Sequence, residues 1–290
     1  MIVITTPTGR IGSKVLDLLL DSGEPIRVVA RDPARVAARD RVEVVQGSLA
    51  DLDVVTKALS GADAVLWVLP PDPRSHSLAG HAMDFTRPLV EAVVTEEVGR
   101  VVSVSTLGRG VARNAGQITT SLAADDLVAS TGVPFRALAM PGFMENLLNQ
   151  VEPIRSAGVF FTPIPTDLAL PTCATRDIAA VAARLLLDDS WTGRDDVPVL
   201  GPEDLSPDDQ AAIMSEVLGR PVRCERVSLE DHRATLVRHG LHPAWAQGLA
   251  DMAREVMDGL YHARPRTPEG TTPTTFRQWC AEELRPAVLG

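Results

Sequence analysis

The sequence has little lysine and tyrosine, and it contains no long apolar run. Its 290 residues include only two lysines, Lys14 and Lys57, and one tyrosine, Tyr261. No stretch approaches the roughly 18 to 20 apolar residues that a bilayer span requires. The apolar run at residues 2–4 is far too short for a signal peptide. We therefore expect a soluble, cytoplasmic protein with no membrane partner.

Cysteine usage and net charge exclude two further classes of ligand. Cys173, Cys224 and Cys280 lack the close pairs of a zinc site and the density of a disulfide scaffold, so we expect reduced structural thiols and no metal. The net charge of -10 argues against sequence-independent nucleic-acid binding, because that requires clustered cations along a phosphate track. We expect no nucleic-acid partner.

Short apolar runs alternate with helical patterns through the first half of the chain. Strands are predicted at 1–5, 26–30, 42–45, 64–69, 100–105 and 135–139, and helices near 11–22, 52–59, 85–95 and 122–130. This alternation is typical of parallel strands that are covered on both faces. Right-handed crossovers then favour an α/β fold of the Rossmann type, a doubly wound parallel sheet in the order 3-2-1-4-5-6.

The second half of the chain predicts a smaller α/β lobe. We divide the sequence into a Rossmann domain at 1–150 and a substrate-side lobe at 151–290, joined by a Pro- and Thr-rich crossing segment after residue 141. A helix at 176–188 is expected to pack back on the Rossmann sheet. Further elements are predicted at 197–200, 207–218, 222–227, 229–239, 244–257 and from 274.

The segment TTPTGRIG, between the first strand and the first helix, resembles a phosphate-binding glycine loop that has lost one glycine. Thr6, Gly9 and Gly12 have the spacing of GxxGxxG, and Pro7 removes one amide donor. We expect the Thr6 hydroxyl to close the turn and the amides of residues 9–11 to bind a pyrophosphate. A plain strand-to-helix turn that binds no ligand remains the alternative.

The segment ARDPAR follows the second strand, where the adenosine ribose of a dinucleotide lies in this fold. Arg31 stands where an acidic residue would bind the ribose 2'-hydroxyl, and a guanidinium there binds a 2'-phosphate instead. We therefore expect NADP(H) rather than NAD(H). Arg35 is either a second phosphate contact or a solvated surface residue.

Several motifs, in this order along the chain, resemble those of the NmrA-like family, an atypical branch of the short-chain dehydrogenase/reductases. They are TTPTGRIG, VVARDPAR, the pair Pro70-Pro71, SVSTLG, MPGFMENLL, GPEDLSPDDQ and RTPEGTTPTTFRQW. The resemblance implies a Rossmann lobe that binds NADP(H) and a small C-terminal lobe that closes over a cleft at the nicotinamide. Family members include quinone reductases, other NADPH-dependent reductases and non-catalytic redox sensors.

The resemblance also assigns roles to individual residues. The pyrophosphate contacts would be Thr8, Gly9, Arg10, Ile11 and Gly12, and the 2'-phosphate contact would be Arg31. Leu69 and Pro70 would flank the cofactor, while Thr106, Gly142, Phe143 and Asn146 would lie near the nicotinamide. One position departs from the family pattern: Ser48 replaces the acidic residue expected near the adenine.

The sequence lacks the usual proton donor of the superfamily. A Tyr-x-x-x-Lys pair cannot be built, since Tyr261 belongs to the predicted second lobe, and the lysine of the phenylpropanoid reductases is absent near Leu122. Hydride transfer to a quinone or a similarly activated acceptor needs no protein acid. Thr106 and Asn146 are candidates for binding the acceptor oxygen. His76, which we place with His81 in a loop at 70–81, is a candidate proton shuttle.

These observations favour an NADPH-dependent oxidoreductase that transfers hydride to a hydrophobic quinone or enone, such as an aromatic biosynthetic intermediate. One alternative is a non-catalytic NADP(H)-binding redox sensor that regulates a protein partner. Another is an enzyme that couples or rearranges phenolic substrates without net redox change. The sequence leaves a homodimer open.

Overall fold

The computed structural model describes residues 1–290, apart from the side chain of Arg39. Its strands are β1 (Ile2–Ile4), β2 (Ile26–Ala30), β3 (Glu43–Gln46), β4 (Ala64–Trp67), β5 (Arg100–Val104), β6 (Phe135–Ala139), β7 (Gly142–Phe143), β8 (Val159–Thr162), β9 (Leu170–Cys173), β10 (Arg194–Pro198), β11 (Asp204–Leu205) and β12 (Arg223–Arg226).

The α-helices are α1 (Gly12–Leu19), α2 (Leu52–Leu59), α3 (Leu78–Thr95), α4 (Gln117–Ala129), α5 (Val151–Ala157), α6 (Thr175–Leu187), α7 (Pro207–Leu218), α8 (Leu229–Arg238), α9 (Pro243–Met257), α10 (Phe276–Trp279) and α11 (Arg285–Leu289). Short 3-10 turns lie at Pro33–Arg35, Arg39–Arg41, Met144–Gln150 and Leu260–His262, and a π-helical turn lies at Cys280–Leu284. Among these helices none is both long and apolar enough to cross a bilayer.

The main sheet is parallel, and its order, β3-β2-β1-β4-β5-β6-β10, confirms the predicted Rossmann-type fold. The seventh strand, β10, pairs with β6 from Arg194 opposite Phe135 to Pro198 opposite Ala139. The strand predicted at 197–200 therefore begins three residues earlier. Polar residues start it because β10 is an edge strand, where side chains can remain exposed.

Helices cover both faces of the main sheet. On one face, alternate β1 side chains such as Ile4 pack in one apolar cluster with Leu16 of α1 and Leu186 of α6. On the other face, Val3 shares a cluster with Leu89 of α3 and residues of α2. Strands that are buried on both faces read as continuous apolar runs, which explains why the sequence located them.

The chain after β6 is more regular than its Pro- and Thr-rich composition predicts. A three-stranded sheet in the order β11-β9-β7 and a two-stranded pair of β12 with β8 form there. Helices α5, α7, α10 and α11 surround an apolar cluster that contains Phe160, Met214 and Trp279. The expected irregular crossing segment was wrong because strands of two to four residues carry too little periodicity to be detected.

Two glycines allow helix α9 to pack closely against the carboxyl edge of the main sheet. A Cβ atom added to Gly116, just before α4, would lie 1.9 Å from the carbonyl oxygen of Gly248 in α9. A Cβ atom added to Gly248 would lie 2.7 Å from the Leu78 side chain at the start of α3. The missing side chains thus let α9 contact the first turns of α3 and α4, which begin at that edge.

Candidate functional site

The turn between β1 and α1 is closed by the backbone of Thr6. Its carbonyl oxygen accepts a hydrogen bond from the Gly9 amide at 3.1 Å. A Cβ atom added to Gly12 would lie 2.0 Å from the same oxygen, so α1 can begin here only with glycine at position 12. The prediction that the Thr6 hydroxyl closes the turn was wrong: Oγ1 is buried and has no hydrogen-bond partner among the residues that the structure describes.

The same loop offers unpaired donors to an anion. The amides of Arg10, Ile11 and Gly12 donate to no acceptor in the described residues, and no side chain caps α1. Around a Cβ atom added to Gly9, the nearest atom would be the Thr6 oxygen at 3.4 Å, an ordinary contact. The protein itself therefore does not require glycine at position 9, but the missing side chain leaves room for a ligand. Together with the unpartnered Thr6 Oγ1, these amides fit a pyrophosphate.

The Arg10 side chain fastens this loop to the Met144–Gln150 turn. Its guanidinium donates to the carbonyl oxygen of Glu145 at 2.6 Å and to Oδ1 of Asn149 at 3.4 Å. The buried Glu145 carboxylate accepts from the amide and the hydroxyl of Thr175, at 2.9 and 2.6 Å, at the start of α6. The phosphate loop and the MENLLNQ segment are therefore joined through one arginine.

Arg31 and Arg35 lie on the turn that follows β2. Both side chains are exposed, and neither guanidinium pairs with a carboxylate of the described residues. The Asp32 carboxylate accepts from the Ala34 amide at 3.1 Å and so shapes the turn between the two arginines. Ser48, in place of the expected acid, accepts from the Ala50 amide at 3.2 Å. The two unpaired guanidinium groups fit a phosphate on the ribose.

The loop after β4 is shorter than predicted. Helix α3 already begins at residue 78, because the Ser77 hydroxyl caps it by accepting from the Gly80 amide at 3.0 Å. His81 is thus a helical residue, only 7% exposed, and its Nε2 lies 2.7 Å from the carbonyl oxygen of Pro70. The placement of His81 in a loop was wrong. Residues 69–70, the predicted cofactor flank, are therefore anchored to α3.

His76 remains in the loop and contacts the second half of the chain. Its exposed ring lies 4.2 Å from the ring of His242, centroid to centroid. The His242 amide donates to the carbonyl oxygen of Pro73 at 2.8 Å, and its Nδ1 accepts from the Ala244 amide at 3.2 Å at the start of α9. Loop 70–77 is thereby attached to α9, and the role of His76 as a proton shuttle stays a prediction.

Thr106 lies just after β5, where backbone hydrogen bonding to the residues after β6 continues past the ends of both strands. The Leu107 amide donates to the carbonyl oxygen of Met140 at 3.0 Å, which places the Thr106 segment beside the start of β7. The half-buried Thr106 hydroxyl donates to the Leu107 carbonyl at 3.1 Å. No atom lies within 4 Å of a Cβ atom added to Gly142, so that residue borders open space. Phe143 is half-buried and Asn146 is exposed.

A buried acid lies beneath this edge of the sheet. Asp125 of α4, 4% exposed, accepts from Ser103 Oγ at 2.7 Å and from the Ser105 hydroxyl. Burial raises the pKa of Asp125 to about 6, against the lowering effect of both serine hydrogen bonds. The Arg109 guanidinium lies 3.5 Å from its Oδ2 and bridges to Asp126 and Asp196. The only signal for this site in the sequence was the Ser-x-Ser pattern at the end of β5. That pattern did not identify Asp125 as the partner of the two serines.

Tyr261 also lies near the end of β5, although the sequence assigned it to the second lobe. It is 9% exposed and shares an apolar cluster with Leu107, Leu122 and Ala139. The turn that carries it touches the Thr106 segment directly, since a Cβ atom added to Gly108 would lie 3.0 Å from the Leu260 side chain. No local sequence pattern encodes this return of the chain.

The predicted site residues therefore fall into three groups. The loop at 6–12 is joined through Arg10 to the 144–150 turn, and Thr106 lies beside the start of β7. The arginines of the ribose side lie apart from these, on the turn after β2. His76 lies against α9.

Comparison with known proteins shows the family of the chain. The sequence model of a family described as NAD(P)H-binding matches residues 7–189, which is more than half of the chain. The match begins inside the TTPTGRIG loop and ends just after α6. The prediction that this lobe binds a nicotinamide dinucleotide is thereby confirmed.

One relative is similar over nearly its whole length. The (4-alkanoyl-5-oxo-2,5-dihydrofuran-3-yl)methyl phosphate reductase of Streptomyces griseus subsp. griseus is 32% identical over 288 residues, covering 97% of this chain and 97% of that protein. Such coverage extends well beyond residue 189, where the match to the family model ends.

Two solved structures share the fold. The NADPH-dependent quinone oxidoreductase QOR2 of Escherichia coli, crystallised with NADPH, superposes with a TM-score of 0.80 at 23% identity and covers 98% of each chain. The negative transcriptional regulator NmrA, crystallised with NADP, superposes with a TM-score of 0.70 at 16% identity, covering 100% of this chain and 91% of that one. The chain thus belongs to the family described as NAD(P)H-binding, and it shares its fold with NmrA and with QOR2.

Proposed function

We propose that the protein is an NADPH-dependent reductase that acts on a hydrophobic quinone or enone. The observation that carries the proposal is a contact between two segments. Arg10, in the loop with unpaired amides at residues 10–12, donates to the carbonyl oxygen of Glu145, three residues after Gly142 with its open side. A ligand held by its pyrophosphate at the first segment would extend toward the second. Bound NADPH would supply the hydride.

The proposed cofactor contacts follow from this geometry. The amides of residues 10–12 bind the pyrophosphate, since the Gly9 amide is already paired with the Thr6 carbonyl. Residues 69–70 flank the cofactor, and Gly142 with Phe143 borders the nicotinamide. Arg31 binds the 2'-phosphate, because its guanidinium is exposed and has no carboxylate partner in the described chain. NADPH is therefore the preferred form.

The proposed acceptor class rests on what the chain places near the end of β5. Ile118 and Leu122, four residues apart on α4, are buried in the apolar cluster there, so that helix presents no proton donor from either position. A quinone or enone delocalises the charge that hydride addition creates. The name of the Streptomyces griseus relative denotes a furanone whose ring double bond is conjugated to carbonyl groups. Thr106 and Asn146 hydrogen-bond the acceptor oxygen in this proposal, and His76 exchanges protons with solvent.

The test is turnover by the purified protein. NADPH is mixed with a panel of quinones, enones and acyl-furanones, and its oxidation is followed by absorbance at about 340 nm, the region where only the reduced nicotinamide absorbs. We expect acceptor-dependent oxidation that is faster with NADPH than with NADH.

Two other outcomes have distinct meanings. Tight NADP(H) binding without oxidation of any acceptor would instead support a redox sensor, the role that the likeness to NmrA favours. Conversion of a phenolic substrate that is unaffected by omitting the dinucleotide would contradict the reductase and point to coupling or rearrangement chemistry.

A further inference from the structure

Tyr261 occupies a position between two segments of the proposed site. On one side, its neighbour Leu260 packs against Gly108, two residues after Thr106. On the other side, the Leu260–His262 turn contacts β9. Strand β9 in turn pairs with β7, and in that pairing Cys173 lies opposite Phe143. The ring of the chain's single tyrosine therefore lies between the end of β5 and the segment proposed to border the nicotinamide.

The Tyr261 hydroxyl forms no hydrogen bond within the described residues. The residue is only 9% exposed, but its oxygen is not sealed from solvent. A hydroxyl that reaches solvent and has no protein partner can donate to a ligand that displaces the solvent.

The phenol also stays protonated under ordinary conditions. Burial raises the pKa of Tyr261 above its usual value, and the neighbouring Cys173 adds to the effect. A phenol in this state cannot act as a base near neutrality, but it is a fixed hydrogen-bond donor. Donors aimed at an oxygen that gains negative charge stabilise that charge most strongly in a water-poor site.

We propose that the Tyr261 hydroxyl donates a hydrogen bond to the carbonyl oxygen of the bound enone or quinone and stabilises the negative charge that forms on it. This rests on the proposed function and names a donor that replaces the missing Tyr-x-x-x-Lys pair. Tyr261 acts as an oxyanion donor, not as an acid that loses its proton. Thr106, on the adjoining segment, is the second donor to the same oxygen when its hydroxyl turns away from the Leu107 carbonyl.

The electrons and protons balance as follows for an enone. Hydride from the reduced nicotinamide dinucleotide adds to the β-carbon, the carbon–carbon π bond breaks, and the electron pair passes to the carbonyl oxygen as an enolate. Tyr261 shares its proton with that oxygen without releasing it. A proton from water then adds to the α-carbon and restores the carbonyl, so the substrate gains two hydrogens and the dinucleotide leaves oxidised.

The substitution Tyr261→Phe tests the inference, with His262→Ala as the matched control on the same turn, since His262 is exposed. We expect Tyr261→Phe to lower kcat by about 100-fold or more, as loss of one oxyanion donor does elsewhere. Its affinity for NADPH and its urea midpoint should both stay unchanged. His262→Ala should match the wild type in all three. Wild-type kcat in Tyr261→Phe would overturn the inference.

A second readout does not depend on turnover. 4-Nitrophenol, whose phenolate oxygen resembles that of an enolate, is titrated into the protein saturated with NADP+ and followed by its absorbance. We expect the wild type and His262→Ala to bind the phenolate and Tyr261→Phe to bind it at least tenfold more weakly, about 1.4 kcal/mol. Equal binding by Tyr261→Phe, or none by the wild type, would overturn the inference. Phenolate binding that depends on Tyr261 in a protein that reduces no acceptor would support this site and contradict only the reductase.

Discussion

The carbonyl oxygen of Thr6 lies 2.0 Å from the point that a Cβ atom on Gly12 would occupy, whereas it lies 3.4 Å from the corresponding point on Gly9. The two surviving glycines of the loop therefore have different tasks. Gly12 permits α1 to start against the Thr6 carbonyl, and Gly9 leaves space above the turn. This division matches the roles of the second and third glycines in a dinucleotide-binding loop.

The substitutions Gly12→Ala and Gly9→Ala should separate these tasks. Gly12→Ala forces the helix away from Thr6 and should destabilise the fold by about 1 to 3 kcal/mol, as overpacking does. Gly9→Ala should unfold at the same urea concentration as the wild type but bind NADPH at least tenfold more weakly, about 1.4 kcal/mol. Urea unfolding and NADPH titration measure the two effects. Normal NADPH affinity in Gly9→Ala would contradict the assignment of the loop.

Replacing Arg31 should change the choice between the two dinucleotides. Arg31→Ala removes charge-assisted hydrogen bonds to the 2'-phosphate, so NADPH affinity should fall about 10- to 100-fold. NADH lacks that phosphate, and its affinity should change little. Arg35→Ala is the matched control from the same exposed turn, and a smaller loss there would mark it as solvated. Equal losses for NADPH and NADH in Arg31→Ala would refute the phosphate contact.

The buried Asp125 should make stability depend on pH in an unusual direction. Its pKa rises from 3.8 to about 6 on folding, so the folded state holds the proton more tightly than the unfolded chain. The stability that protonated Asp125 contributes is complete below about pH 4 and is lost as pH rises through about 6, on the order of 3 kcal/mol. Carboxylates whose pKa is lowered by folding make stability rise with pH instead. The contribution of Asp125 must therefore be isolated by comparing the wild type with a variant that lacks this carboxylate.

The variant Asp125→Asn keeps the shape but cannot ionise. We expect the free energy of unfolding of the wild type, minus that of Asp125→Asn, to decrease steadily between about pH 4 and 7. Urea unfolding at a series of pH values measures it. Asp188→Asn removes a carboxylate whose pKa is lowered by its Ser190 hydrogen bonds, so its difference should be nearly flat above about pH 5 and fall only at lower pH, and it serves as the control. A flat difference for Asp125→Asn would contradict the raised pKa.

The cysteine thiols should be inert in the folded protein. Burial raises the pKa of Cys224 and of Cys280 to about 12, and it also raises that of the fully buried Cys173. Thiolate, the reactive form, is therefore scarce near pH 8. Ellman's reagent should label none of the thiols rapidly before unfolding and all three in urea. Rapid labelling of the native protein would show that one thiol is exposed and ionised.

The sequence predicted the sheet because parallel strands buried on both faces are apolar at every position. The predicted start of strand β10 was wrong because its first residues, Arg194 and Asp195, are polar. They belong to an edge strand that pairs with β6 on one side only. The start of α3 was missed because its first turn is defined by the Ser77 cap rather than by apolar periodicity. Local patterns thus located the buried elements and missed those set by pairing or capping.

The candidate site divides in the same way. Glycine spacing and the position of Arg31 indicated the dinucleotide because both are local and sit at fixed places in the fold. The bond from Arg10 to Glu145 spans 135 residues, and the bond from Ser103 to Asp125 crosses from a strand to a helix. Tyr261 reaches the end of β5 from far along the chain. Such contacts depend on how elements pack, which spacing in one sequence does not encode.

Calorimetric titration of the wild-type protein with NADPH tests the central claim most directly. The unpaired amides of residues 10–12 and the unpartnered Thr6 hydroxyl should produce a saturable binding heat. Binding to the folded state alone should also raise the thermal midpoint as NADPH is added. No heat and no shift of the midpoint, with NADPH or with NADH, would contradict the dinucleotide site and the reductase built on it.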